Sequence, residues 1–343
     1  GTAPDRTALT LSVPEQPTGE HALGAGYSSM QGLLLDFSYT ERNLFGRGQF
    51  LRASVSIGTF QKNYDLRFTE PYFLGRPLAA GFLLYKVVTD FSEYVGYISD
   101  ITAVGLNVGF PVSEFGRLSP HYNFQYTDIQ PFGTNTALAI LSGTYSASSI
   151  GYTYTYDTRD DIIRPTRGWS LALSQDVAGL GGNLKYLRTA PTTQYYHPFF
   201  FNLVANLAFN VGYVTGYGGE NIPINERFFK GGPTFRGFQI AGVGPRDTVS
   251  EVALGSQFYA IGTYQVRLPQ ILPEDYGIAL SWFTDFGTVG MITGVNKTCV
   301  ARVQCIRDDL GLRVATGIAI NWRSPFGPVE IDIGTPIIMN EYD

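Results

Sequence analysis

An all-β fold, a transmembrane antiparallel β-barrel, is the class the sequence predicts, and three observations carry it. Charged residues make up only 15% of the chain while aromatics reach 14%. A water-soluble domain carries about a quarter charged residues, so part of this surface is expected to face something apolar. No run of about eighteen apolar residues is present to form a membrane helix, since the richest stretch, Pro198 to Tyr217, is cut by Asn202, Asn206 and Asn210. Those asparagines fall at even positions and Phe201, Leu203, Ala205, Leu207, Phe209, Val211 and Tyr213 at odd ones, which is the period of a strand with one apolar face. Leu312 to Trp322 repeats the pattern, with Leu312, Val314, Ile318, Ile320 and Trp322 opposing Arg313, Ala315, Gly317, Ala319 and Asn321. A tilted strand of about ten residues crosses a bilayer, and only a closed barrel satisfies its backbone polar groups there. A soluble sandwich also alternates, but its outward face would carry Lys and Glu in quantity.

In chain order, Gly1 to Gln16 reads as the end of a preceding soluble domain, because Glu15-Gln16-Pro17 interrupts its alternation. Residues 17–343 then read as barrel. The first barrel strand is expected near Thr18 to Ser28 and the last near Val329 to Met339. Short Gly- or Pro-punctuated connections lie at Asn43 to Gly48, Pro71 to Pro77, Ser113 to Arg117, Ile163 to Gly168 and Ser324 to Gly327. Long ones lie at Asp128 to Tyr145, Gly218 to Leu254 and Met291 to Asp309. This alternation is that of outer-membrane barrels, with tight periplasmic turns and longer external loops. About fifteen strands result, and single-chain bacterial barrels have even numbers. Sixteen are therefore expected, the last falling after Asp343.

The 218–254 connection is far longer than an ordinary loop, so it is functional or disordered. Its Phe228, Phe229, Phe235 and Phe238 favour order, and Arg236 among them could be placed against a buried carboxylate. Cys299 and Cys305, the two cysteines of the chain, suit a local disulfide better than a metal site, which would need two further ligands nearby; two free thiols are the alternative. No metal ligand set, cofactor motif or catalytic residue is assigned. His21, His121 and His197 lie in separate segments without a nucleophile signature. The net charge of −5 gives no sign of a nucleic-acid surface.

Several motifs in order carry a resemblance: Glu15-Gln16-Pro17-Thr18-Gly19-Glu20, Gly24-Ala25-Gly26-Tyr27-Ser28, Thr40 to Gly48, Glu70-Pro71-Tyr72-Phe73, Asp157-Thr158-Arg159-Asp160 with Pro165-Thr166-Arg167-Gly168, Gly231-Gly232-Pro233-Thr234-Phe235-Arg236-Gly237-Phe238, Asp285-Phe286-Gly287, and Ser324 to Pro328. Together they resemble the BamA family of outer-membrane β-barrel assembly factors over essentially the whole chain, closest to alphaproteobacterial forms. The resemblance implies that residues 1–16 end a periplasmic POTRA-type domain and that loop 218–254 folds into the lumen. It also implies that Arg236 pairs with acidic residues on neighbouring strands. Asp285 matches one partner, and it falls opposite the face of Ile278, Leu280 and Trp282. An ordinary polar lumen residue is the alternative for it. Gln265 stands at the usual second acidic position, and Phe235 where the family more often has valine.

The function implied is insertion of other barrels through a lateral seam between first and last strands. Gly19, Gly24 and Gly26, beside Tyr27, would weaken the first strand's edge, although such glycines could equally relieve crowding at a bend. The implied partners are unfolded outer-membrane barrel clients, accessory lipoproteins held through periplasmic domains, and the lipid bilayer of the bacterial outer membrane. Rival readings are a TamA-like assembly barrel, a secretion pore, and a passive porin.

Overall fold

The structure, a computed structural model, describes residues 17–133, 136–269, 273, 276–299 and 305–343. Residues 1–16, expected to end a preceding domain, lie outside the described residues. The first seven strands are β1 (Gly19–Ser28), β2 (Gly32–Leu44), β3 (Gln49–Gly58), β4 (Gln61–Glu70), β5 (Ala79–Asp90), β6 (Tyr97–Pro111) and β7 (Gly116–Pro131). A short helix, α1 (Thr136–Leu141), precedes β8 (Gly143–Asp157), β9 (Gly168–Gly182), β10 (Tyr186–Pro198) and β11 (Val204–Gly216). After the long loop, with its two-residue strands β12 (Arg246–Asp247) and β13 (Val252–Ala253), come β14 (Phe258–Arg267) and β15 (Ile278–Gly290). The chain continues with β16 (Ile306–Arg307), β17 (Arg313–Ser324) and β18 (Gly327–Ile338). Fifteen of these form one antiparallel sheet in sequence order, and β13, β12 and β16 form a separate three-stranded sheet.

Alternation holds along the strands. On β15, Ser281, Phe283, Asp285, Gly287 and Val289 are buried and Trp282 is exposed. Outward residues such as Leu35, Phe37, Leu106, Phe124, Ile150, Trp169, Ile318 and Ile333 leave an apolar belt exposed on successive strands, the surface a barrel offers to lipid. The sheet curls on itself. Met30, in the β1–β2 turn, shares one small apolar cavity with Gly231 and Thr234 of the long loop, while Gly237 of that loop lies against Thr335 on β18.

Two expectations need correction. Phe201 and Leu203 are not on a strand: β10 stops at Pro198, the Phe199 amide donates to the Leu203 carbonyl at 2.8 Å, and Phe201 turns the chain at φ 59°. A run of phenylalanines after Pro198 concealed that turn by continuing the apolar character of a strand. The 128–145 connection is also shorter than expected, since β7 runs to Pro131, β8 starts at Gly143, and α1 lies between. Its Leu138 and Leu141 join Val95, Tyr97, Ile129, Ile224, Ala241 and Ala253 in a buried cluster at the long-loop end. Apolar burial among loops at that end gives them a shared core.

Candidate functional site

The site is a clasp around Arg236. It begins with backbone geometry: Gly231 (φ 127°) and Gly237 (φ 88°) adopt conformations that L side chains rarely take. A Cβ on Gly231 would sit 1.9 Å from the Gln239 carbonyl oxygen. Between these glycines, Phe235 is fully buried with Val243, Tyr259, Ile261 and Val289, and stacks edge-on against Phe238 at 4.9 Å. That anchor aims the Arg236 guanidinium at β15. Nε donates to Asp285 Oδ2 at 2.8 Å and Nη2 to Oδ1 at 2.7 Å, a two-pronged charge-assisted pair. The Arg236 amide and the Thr263 hydroxyl also donate to that carboxylate, at 3.2 and 2.8 Å. Below the guanidinium lies the Phe283 ring, with its centroid 3.6 Å away. Gln265 Oε1 accepts from Nη1 at 3.3 Å.

Ten positions earlier in the same loop, Glu226 is buried. Gln125 of β7 donates to it at 2.6 Å and Arg188 of β10 pairs with it at 2.9 Å. Arg227 donates to the carbonyls of Ile222 and Thr293. Lys230 stands 3.7 Å over the Tyr259 ring, and burial lowers its pKa to about 8. A polar cavity of about 450 Å³ opens beside the clasp, lined among others by Asn206, Asn210, Lys230, Glu330 and Asp332.

A family model, the Omp85 superfamily domain, matches residues 43–343. The chain belongs to the Omp85 superfamily. Within it, the outer membrane protein assembly factor BamA of Neorickettsia risticii is 28% identical over 98% of this chain, which spans 45% of that relative's length. The solved structure of BamA from Haemophilus ducreyi lacking POTRA domains 1–3 superposes with a TM-score of 0.86 at 21% identity, over 96% of this chain and 68% of that one. CdiB from Acinetobacter baumannii has the same fold less closely, with a TM-score of 0.59 at 14% identity over 95% of this chain and 57% of that one.

As a member of the Omp85 superfamily, the chain brings Gly231, Gly232, Phe235, Arg236, Gly237, Phe238, Gln265 and Asp285 together in one place. The other site residues chosen from sequence lie elsewhere. Gly19, Gly24, Gly26 and Tyr27 are on β1, paired residue by residue with β2 from Gly19 opposite Glu41 to Ser28 opposite Gly32. A Cβ on Gly26 would meet nothing within 4 Å and one on Gly24 only Asp36 Cβ at 3.8 Å, so neither relieves crowding. A Cβ on Gly19 would lie 2.9 Å from the Tyr39 hydroxyl oxygen. A disulfide joins Cys299 to Cys305, and the Cys305 amide donates to Asp247 at 2.8 Å. Sequence reasoning missed Glu226, Arg188, Phe283 and Asp332. A signal existed for Asp332, because Glu330, Asp332 and Gly334 alternate with Val329, Ile331 and Ile333.

Proposed function

We propose that this chain is the barrel portion of an outer-membrane insertase, which assists folding and insertion of other β-barrel proteins through a lateral seam. The observation that carries the reading is likeness along 98% of the chain to an outer membrane protein assembly factor. Residues 17–343 form the transmembrane barrel in this reading, with loop 218–254 in its lumen and a sixteenth strand completing the wall. Preceding POTRA-type domains hold accessory lipoproteins. The place of action is the bacterial outer membrane, and the clients are unfolded barrels.

One feature supports a seam at β1. Gly24 and Gly26 have open space around them, so glycine there weakens the edge without a packing reason. A passive porin does not account for an arginine held by four polar contacts in the loop.

The test is the folding rate of an unfolded client barrel in liposomes holding the intact protein, with a reversible disulfide engineered between β1 and the last barrel strand. Insertion through the seam requires acceleration to vanish when the strands are locked and return on reduction. Client folding indifferent to the lock, with ion conductance intact, would make the protein a pore.

A further inference from the structure

Arg236 has a nitrogen that the Asp285 carboxylate does not engage. Nη1 meets the neutral Gln265 at 3.3 Å, near the long limit of an N–H···O bond, and the Asp332 carboxylate of β18 at 4.0 Å. The ground between loop and β18 has been cleared of side chains. Phe283, Gly317 and Gly334 are cross-strand partners in one row through β15, β17 and β18. A Cβ on Gly317 would lie 2.1 Å from the Ile333 carbonyl oxygen, and one on Gly334 would lie 3.1 Å from the Phe283 ring and 3.2 Å from the Gly237 nitrogen. One on Gly237 would lie 2.8 Å from Ala315 Cβ and 3.3 Å from the Thr335 carbonyl carbon. Loop backbone therefore seats on strand backbone, as glycine alone allows. A register shift between Val314 and Ala315 loosens the β17–β18 ladder beside this contact.

We propose that Asp332 is a positioning residue: it supplies the second carboxylate that Gln265 does not, and through the Gly317–Gly334 row it fixes β18 to the docked loop. The two contacts differ in kind. Asp285 is buried and holds Arg236 by two short bonds, whereas Asp332 is partly exposed to the polar cavity and stands farther off. Partly solvated pairs of that length are weak. The loop can release β18 while Asp285 still holds it, which makes the attachment of the sheet's last described strand adjustable. The consequence for client insertion rests on the insertase reading above; the contact and its effect on β18 do not.

The test is amide hydrogen exchange, by mass spectrometry, of peptides covering 231–238 and 327–338 in the intact protein in liposomes. Asp332→Asn is expected to speed exchange in 327–338 by roughly twofold to fivefold, with a smaller change in 231–238, and Asp332→Glu to return β18 toward the parent. Adding Gln265→Glu to Asp332→Asn gives Arg236 a carboxylate on β14 instead, so the loop is expected to be restored and β18 to stay fast. Gln265→Glu alone, which keeps every native carboxylate, is expected to draw Nη1 toward β14 and speed β18 as well. Unchanged β18 exchange in Asp332→Asn, or its recovery in the double variant, would overturn the proposal. Client folding recorded in the same vesicles separates the two ideas, because a parent that accelerates no client sinks the insertase reading and leaves the exchange results standing.

Discussion

Four hydrogen bonds converge on Asp285, three from Arg236 and one from Thr263, and the carboxylate is almost wholly buried. Removing the guanidinium leaves that charge without its counterion. Arg236→Ala is therefore expected to cost about 3–5 kcal/mol in urea unfolding from liposomes. Arg236→Lys keeps the charge but loses the fork that matches both carboxylate oxygens, so it should recover only part of the loss. Lys230 makes a pH-dependent case six residues earlier in the loop. Its folded-state pKa of about 8 lies below the ordinary 10.5 because burial disfavours the ammonium. Between those values the unfolded chain holds a proton that the folded one does not, so stability from this group rises as pH climbs from about 8 to 10.5 and is lowest below 8. The Tyr259 ring offsets part of the cost of the charged form, leaving roughly 2 kcal/mol. Lys230→Met should flatten this part of the profile, which is read as the parent-minus-variant difference in urea midpoint at pH 7 and pH 10.

At the scale of elements, β1 gives the sharpest expectation. Valine at Gly24 or Gly26 meets no steric obstacle from its Cβ, and it favours an extended, well-ordered strand over a frayed one. On the proposed insertase reading, Gly24→Val with Gly26→Val is expected to leave the barrel folded while slowing client folding severalfold. A variant that accelerates clients as well as the parent would remove the weak edge from the mechanism. A second expectation concerns the β8–β9 connection, where the Thr166 hydroxyl and the amides of Thr166, Arg167 and Asp161 all donate to the Asp160 carboxylate. Those bonds hold its pKa well below the usual carboxylate range. Asp160→Ala should open the connection and hasten proteolysis at the exposed Ile162 and Ile163, followed by limited digestion. Elements of this kind were legible in the sequence to the extent that their signals are local. Period-two alternation located the strands that became β11 and β17, and Gly or Pro punctuation located five of the short turns. It failed at 199–203, where Phe199, Phe200 and Phe201 continue the apolar character of a strand, and at α1, whose six residues are too few to show a helical period. The Arg236–Asp285 pair was reached through the family motif and strand parity together. Glu226 and Asp332 escaped because their partners lie far along the chain and depend on how the sheet curls.

Across the whole molecule, the long loop ties two parts of the sheet together, β7 with β10 and β14 with β15. Glu226 is tied to β7 and β10, Arg236 to β14, β15 and, through Asp332, to the neighbourhood of β18, and the two anchors are only ten positions apart. Next to the anchors along the chain, Ile224 and Phe235 are each buried in an apolar cluster. Such a tie carries force only if it is rigid, and rigidity is measurable as energetic coupling between its ends. If the loop docks as one body, losing either anchor releases both, and Glu226→Gln combined with Arg236→Ala should cost less than the sum of the single losses, by about 0.5–3 kcal/mol. Independent anchors would give additive costs within about 0.5 kcal/mol, as for sites with no shared partner. Urea midpoints of the four proteins in liposomes decide between these outcomes. Coupling would mean that a disturbance at the β18 side is felt at β7 and β10, so a change at one side of the proposed seam would reach those strands through the loop. Additivity would confine the Arg236 clasp to the strands it touches, and any control of the seam would then have to act locally through β15, β17 and β18.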